Sequence, residues 1–147
     1  MIREVLAAHD AEDLQVISAR LQDAVARVAD LVWLKGQRRF AILFNRFKWE
    51  ESEKRRSLNL RVRSGLHFDS VLSVKSTKIV RGNPNAVLSL LAISFAPKAT
   101  EDPAGVVELV FAGGGSIRLD VECIAAELSD VGAEWAARGR PAHLTGA

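Results

Sequence analysis

The sequence predicts an α+β fold of about seven antiparallel strands, bent into a sandwich or partly open barrel, closed by a C-terminal helix and preceded by one N-terminal helix. Three observations carry this expectation. Apolar residues alternate with polar ones in segment after segment, which is the period of a half-buried strand. The segments are joined by short stretches rich in glycine, proline and asparagine, and short turns join antiparallel neighbours, whereas parallel strands need long crossovers. Helical spacing occurs only near the two ends of the chain, so a doubly wound parallel sheet is disfavoured.

Taken in order, Ile2–Leu6 is a short apolar segment of undetermined type. Asp10 and Asp13 mark a helix start through capping and the helix dipole, and Leu14, Ile17 and Leu21 continue at helical spacing, predicting a helix over Ala11–Leu21. Val25, Val28 and Val32 favour a strand within Asp23–Trp33, and Lys35-Gly36-Gln37 turns the chain into a second strand, Phe40–Phe44. Phe40, Ile42 and Phe44 occupy one face of it and Ala41, Leu43 and Phe47 the other, as expected of a central strand covered on both sides. Residues 48–57 are densely charged with only Trp49 to bury, and read as an exposed loop. Leu58, Leu60 and Val62, continued by Leu66 and Phe68, alternate with Asn59, Arg61, Arg63 and His67, which places the two arginines on the wet face of a strand. Further strands are predicted over Val71–Lys78 and Val87–Phe95, separated by the turn Arg81–Asn85, and a loop covers Pro97–Gly105.

The closing element is the densest part of the pattern. Val107, Leu109 and Phe111 share one strand face, Gly113–Gly115 supply the backbone freedom of a three-residue hairpin loop, and Ile117, Leu119 and Val121 share a face of the returning strand. Beyond Val121 the spacing of Ile124, Leu128, Val131 and Trp135 predicts a helix lying back over the sheet.

The chain has 147 residues, 48% of them hydrophobic and 26% charged, which suits a single globular domain. That domain is expected over 1–137, with 138–147 as a flexible tail lacking periodicity. A single cysteine excludes an internal disulfide, and neither a secretory signal nor a membrane-spanning apolar run is recognisable, so a soluble cytoplasmic protein is expected. The net charge is +2, but unevenly spread: residues 1–34 carry three basic and six acidic groups, residues 35–100 fourteen and four, and residues 101–147 three and eight. Such a basic middle either meets an anionic partner or is neutralised by the acidic ends on folding.

Seven strands capped by a terminal helix resemble the pleckstrin-homology-like sandwich, a fold that hosts lipid, peptide and protein binders and so implies a binding module without naming its ligand. Asn45–Glu50, Gly65–Leu72 and Phe111–Ile124, the last the most specific, resemble the blocks of a family of small bacterial proteins of unknown function, the domain of unknown function 2948 type. The resemblance spans nearly the whole chain and implies one complete domain; it brings no activity, cofactor or catalytic residue with it.

Chemistry is sparsely signalled. His9, His67 and His143 with Cys123 have no metal-ligand spacing, and no metal or other cofactor is expected. Cys123 reads as a buried structural thiol at the start of the last helix, where Asp120 and Glu122 oppose its ionisation. No nucleophile elbow occurs, and the triple glycine lacks the lysine and hydroxyl residue of a phosphate loop. Glu50, His67 and Asp69 form an acid–base set only if the fold brings them together.

The constellation with most physical content is basic and aromatic: Arg46, Lys48, Trp49, Lys54, Arg55, Arg56, Arg61 and Arg63, with Phe47 among them. Cations hold phosphates while an aromatic ring stacks on a base or caps a partner. The plainer alternative is that these arginines pair with Glu127, Asp130 and Glu134, a stripe of the predicted last helix. Two functions follow: a non-enzymatic protein-interaction or ligand-binding module, with an unidentified protein partner or self-association, or a binder of nucleic acid or an anionic surface through residues 46–63.

Overall fold

The structure, a computed structural model, describes residues 5–47, 59–131 and 135–137. Among the described residues, eleven strands form one antiparallel sheet, accompanied by a single α-helix. In chain order they are β1 (Val5–Ala8), α1 (Ala11–Arg20), β2 (Val25–Arg27), β3 (Leu31–Leu34), β4 (Arg39–Phe47), β5 (Asn59–Phe68), β6 (Val71–Thr77), β7 (Val87–Pro97), β8 (Gly105–Phe111), β9 (Ser116–Val121), β10 (Ala126–Asp130) and β11 (Trp135–Ala137). The hydrogen-bonded path runs β1-β10-β5-β4-β2-β7-β8-β9-β6, with β3 added to β4 and β11 to β5. The path has two ends, so the sheet is open.

The N-terminal helix forms where the sequence places it. Asp10 caps it by accepting the Asp13 N–H at 2.7 Å, and Asp13 accepts the His9 N–H at 3.3 Å, so two donors at the helix entrance are satisfied reciprocally. Leu14, Ile17 and Leu21 are fully buried. Ser18 lies on the same stripe, and its hydroxyl accepts the Ile93 N–H at 2.9 Å, next to a register shift in the β7–β8 pairing between Leu90 and Ala92. The helix thus satisfies a backbone donor beside the irregularity in β7.

The C-terminal helix is not formed. Residues 126–130 are β10, inserted between β5 and β1, with Leu128 opposite both Leu66 and Leu6. The alternation Ala126, Leu128, Asp130 faces the core while Glu127 and Ser129 are half-buried on the other side, so period two wins over the helical spacing of Ile124, Leu128 and Val131. Trp135 belongs to a strand as well, its backbone paired with Arg61 of β5. Among the described residues no helix after β9 plugs the open sheet, so the pleckstrin-homology resemblance is not confirmed.

The expected seven strands become eleven for local reasons. The segment 23–33 is broken by a turn of 3₁₀ helix at Val28–Asp30 into β2 and β3, and β1, β10 and β11 are added. β4 is central as expected, held by β3 and β2 on one edge and β5 on the other. The β8–β9 hairpin loop has Gly113 and Gly114 at φ 88° and 93°, conformations that require glycine. Gly115 serves differently: a Cβ there would approach Ile79 Cδ1 at 2.9 Å, so its role is close packing. The predicted exposed loop 48–57 and the tail 138–147 lie outside the described residues. One hydrophobic cluster draws on the helix, on Phe40, Ile42, Phe44, Leu66 and Phe68 from one half of the sheet, and on Val107, Leu109, Phe111, Ile117 and Leu119 from the other.

Candidate anion-binding site

The basic residues singled out by the sequence do not share one environment. Arg46 continues the inward row Phe40, Ile42, Phe44 and is fully buried. Its Nε donates to Ser64 Oγ at 3.0 Å and to Asp130 Oδ1 at 3.2 Å, its Nη2 donates to Asp130 Oδ2 at 3.2 Å, and the Ser64 hydroxyl donates to Asp130 Oδ1 at 2.7 Å. This three-strand network joins β4, β5 and β10 and turns the guanidinium away from any surface ligand. Asp130 is one of the acids expected to neutralise the basic middle, although it reaches Arg46 from a strand.

Arg63 points to the opposite face, where its Nε donates to Asn45 Oδ1 at 3.3 Å. Arg61 lies over the Phe47 ring at 5.8 Å, a cation–π distance, and its buried Nη1 has no hydrogen-bond partner among the described residues. Burial lowers the Arg61 pKa, an effect that Asp23 opposes. Lys48, Trp49, Lys54, Arg55 and Arg56 lie outside the described residues.

Of the acid–base set, His67 and Asp69 meet: His67 Nε2 is 3.5 Å from Asp69 Oδ2, while Glu50 lies outside the described residues. Asp69 is engaged elsewhere, accepting from Arg39 Nε at 2.7 Å and Nη2 at 3.3 Å. That hydrogen bond to Asp69 raises the Arg39 pKa, with the charges of Asp69 and Glu127 adding to it against a smaller loss from burial. The arrangement is a surface ion-pair cluster across β4 and β5 in which the carboxylate is already held by the arginine. Among the described residues no three His, Cys, Asp or Glu side chains group as a metal site. Cys123 is a half-buried free thiol in the turn between β9 and β10.

A third place has the shape of a site. The outer face of β6, β9, β8 and the end of β7 carries a depression of about 480 Å³, within the range of small-molecule pockets. Register builds its floor: Ser73 pairs with Asp120, Asp120 with Val106 and Val106 with Ala96, giving one row of side chains across four strands. Lys75 and Arg118 stand on one bank, paired in the next row. Pro97, Gly105 and Lys98 form the other, where the Lys98 N–H donates to the Ala104 carbonyl at 2.9 Å. Gly105 is fixed by packing, because a Cβ would lie 2.3 Å from the Ala96 carbonyl oxygen and 2.7 Å from the Phe95 ring.

Electrostatically the lining of the depression carries three cations and one acid. Lys75 and Lys98 have no ion-pair partner among the described residues, and Arg118 is engaged through Nε with Glu108 at 3.0 Å. Asp120 in the floor is the one acid among the lining residues. The sequence did not single these cations out, and only the β6–β9 register joins Lys75 to Arg118.

The family model described as a protein of unknown function, DUF2948, matches residues 5–143. The chain belongs to that family. The DUF2948 match takes in all the described structure, from β1 to β11, and so includes both the buried Arg46–Asp130 network and the cationic depression. No curated protein matches the chain. Among the described residues no helix is long and apolar enough to cross a membrane.

Proposed function

We propose that this DUF2948 chain is a non-catalytic binding module and that the depression over β6–β9 is where it takes an anionic ligand. The observation that carries the reading is that Lys75, Lys98 and Arg118 line one depression of about 480 Å³. Unpaired lysines usually scatter over a surface to keep a protein soluble, whereas cations facing one depression raise the local concentration of anions. Of the two kinds of binding module that the sequence left open, ligand binding is the one this feature supports. A cytoplasmic site of action belongs to the same proposal and rests on composition.

The competing reading, nucleic-acid or anionic-surface binding through residues 46–63, loses Arg46 to the core. Calorimetric titration with inorganic phosphate at low salt separates the two. Binding that weakens on Lys75→Glu with Arg118→Glu supports the depression. Binding indifferent to those changes, but lost on Arg55→Glu with Arg56→Glu, would replace it with the 46–63 segment.

A further inference from the structure

The depression has a charge order as well as a sign. Its cations stand on two banks, separated by the row Ser73, Asp120, Val106 and Ala96. Lys98 lies level with Ala104 through its backbone hydrogen bond, and Arg118 lies level with Glu108, so the banks are four residues apart along β8. At the rise of an antiparallel strand that is about 14 Å between backbone rows, and long side chains leaning inward shorten the gap between the charges. Between the banks the floor presents Val106, 37% exposed, and the carboxylate of Asp120.

From this order, and resting on the reading of the depression as an anion site, we infer that its ligand is a linear small molecule with an anionic group at each end and an uncharged or cationic middle. One end meets Lys75 and Arg118, the other meets Lys98, and the chain between them crosses Val106. Asp120 repels a negative charge placed at the centre, so a compact polyanion fits worse than an extended dianion. Both ends are solvent-exposed, so the second contact strengthens binding by about fivefold at low salt rather than by orders of magnitude.

The test is a titration of the full chain with succinate, adipate, suberate and sebacate, and with monomethyl suberate as a probe of nearly equal length and one charge fewer, all at matched ionic strength. The expected result is affinity that climbs from succinate to a chain long enough to reach both banks, with suberate about fivefold tighter than its monomethyl ester. Lys98→Gln should abolish that preference while leaving residual binding, Asp120→Asn should tighten suberate, and Lys35→Gln, which does not line the depression, should change nothing. Equal affinity for suberate and its monomethyl ester, or a preference that survives Lys98→Gln, would overturn the two-ended ligand while leaving a one-anion site in place. Absence of saturable binding by every probe would instead remove the anion site itself, and the inference with it.

Discussion

Arg46 and Asp130 face each other inside the protein, with Nη2 of the arginine 3.2 Å from the carboxylate and the two residues 84 positions apart in the chain. Arg46 is fully buried and Asp130 is 8% exposed, so water screens neither charge effectively. Removing one partner leaves the other desolvated and uncompensated. Arg46→Met or Asp130→Ala should each cost about 3–5 kcal/mol, whereas the double change Arg46→Met with Asp130→Leu should recover much of the loss. Urea denaturation of the three variants measures this, and additive single losses would show that the residues do not act as a pair.

The contrast with Arg61 is a second prediction. Its Nη1 is buried without a hydrogen-bond partner among the described residues, and its charge is disfavoured by burial. Partial exposure and the Phe47 ring reduce that cost. Arg61→Leu should therefore lie within about 1 kcal/mol of the parent, unlike any truncation of Arg46.

Much of the fold is legible in the sequence, and the part that is not has a definable cause. Asp10 with Asp13, followed by Leu14, Ile17 and Leu21, locates α1 because cap and stripe are both local. Gly113 and Gly114 locate the last hairpin for the same reason. β10 is hidden because its alternation puts Asp130 at a core position, which a single strand read alone argues against. The partner that makes this acceptable, Arg46, is supplied by β4, far away in sequence. The depression is hidden likewise: nothing in Lys75, Lys98 or Arg118 taken singly differs from a solvated charge until strand register sets them around one floor.

Ser18 gives a third prediction. Its hydroxyl is the acceptor for the buried Ile93 N–H beside the β7 irregularity. Ser18→Ala leaves that donor unsatisfied and should cost about 1–3 kcal/mol, with faster amide exchange at Ile93 than at its neighbours. An unchanged exchange rate there would contradict the assignment.

Gly105 links stability to the site. A methyl group would overlap the Ala96 carbonyl and the Phe95 ring, so Gly105→Ala should destabilise by about 1–3 kcal/mol or more and displace the end of β7. Because Ala96 and Pro97 line the depression, the same change should weaken phosphate binding even where the chain remains folded by circular dichroism. Gly36→Ala, with open space around its Cβ position, is the matched control and should alter neither.

The most direct test of the central claim is a two-dimensional ¹H–¹⁵N NMR titration of the full chain with suberate at low ionic strength. Saturable shifts confined to the amides of Ser73, Lys75, Ala96, Lys98, Gly105, Val106, Arg118 and Asp120 are predicted. Shifts centred instead on Arg61, Arg63 and residues 48–57, with the β6–β9 face unmoved, would contradict it.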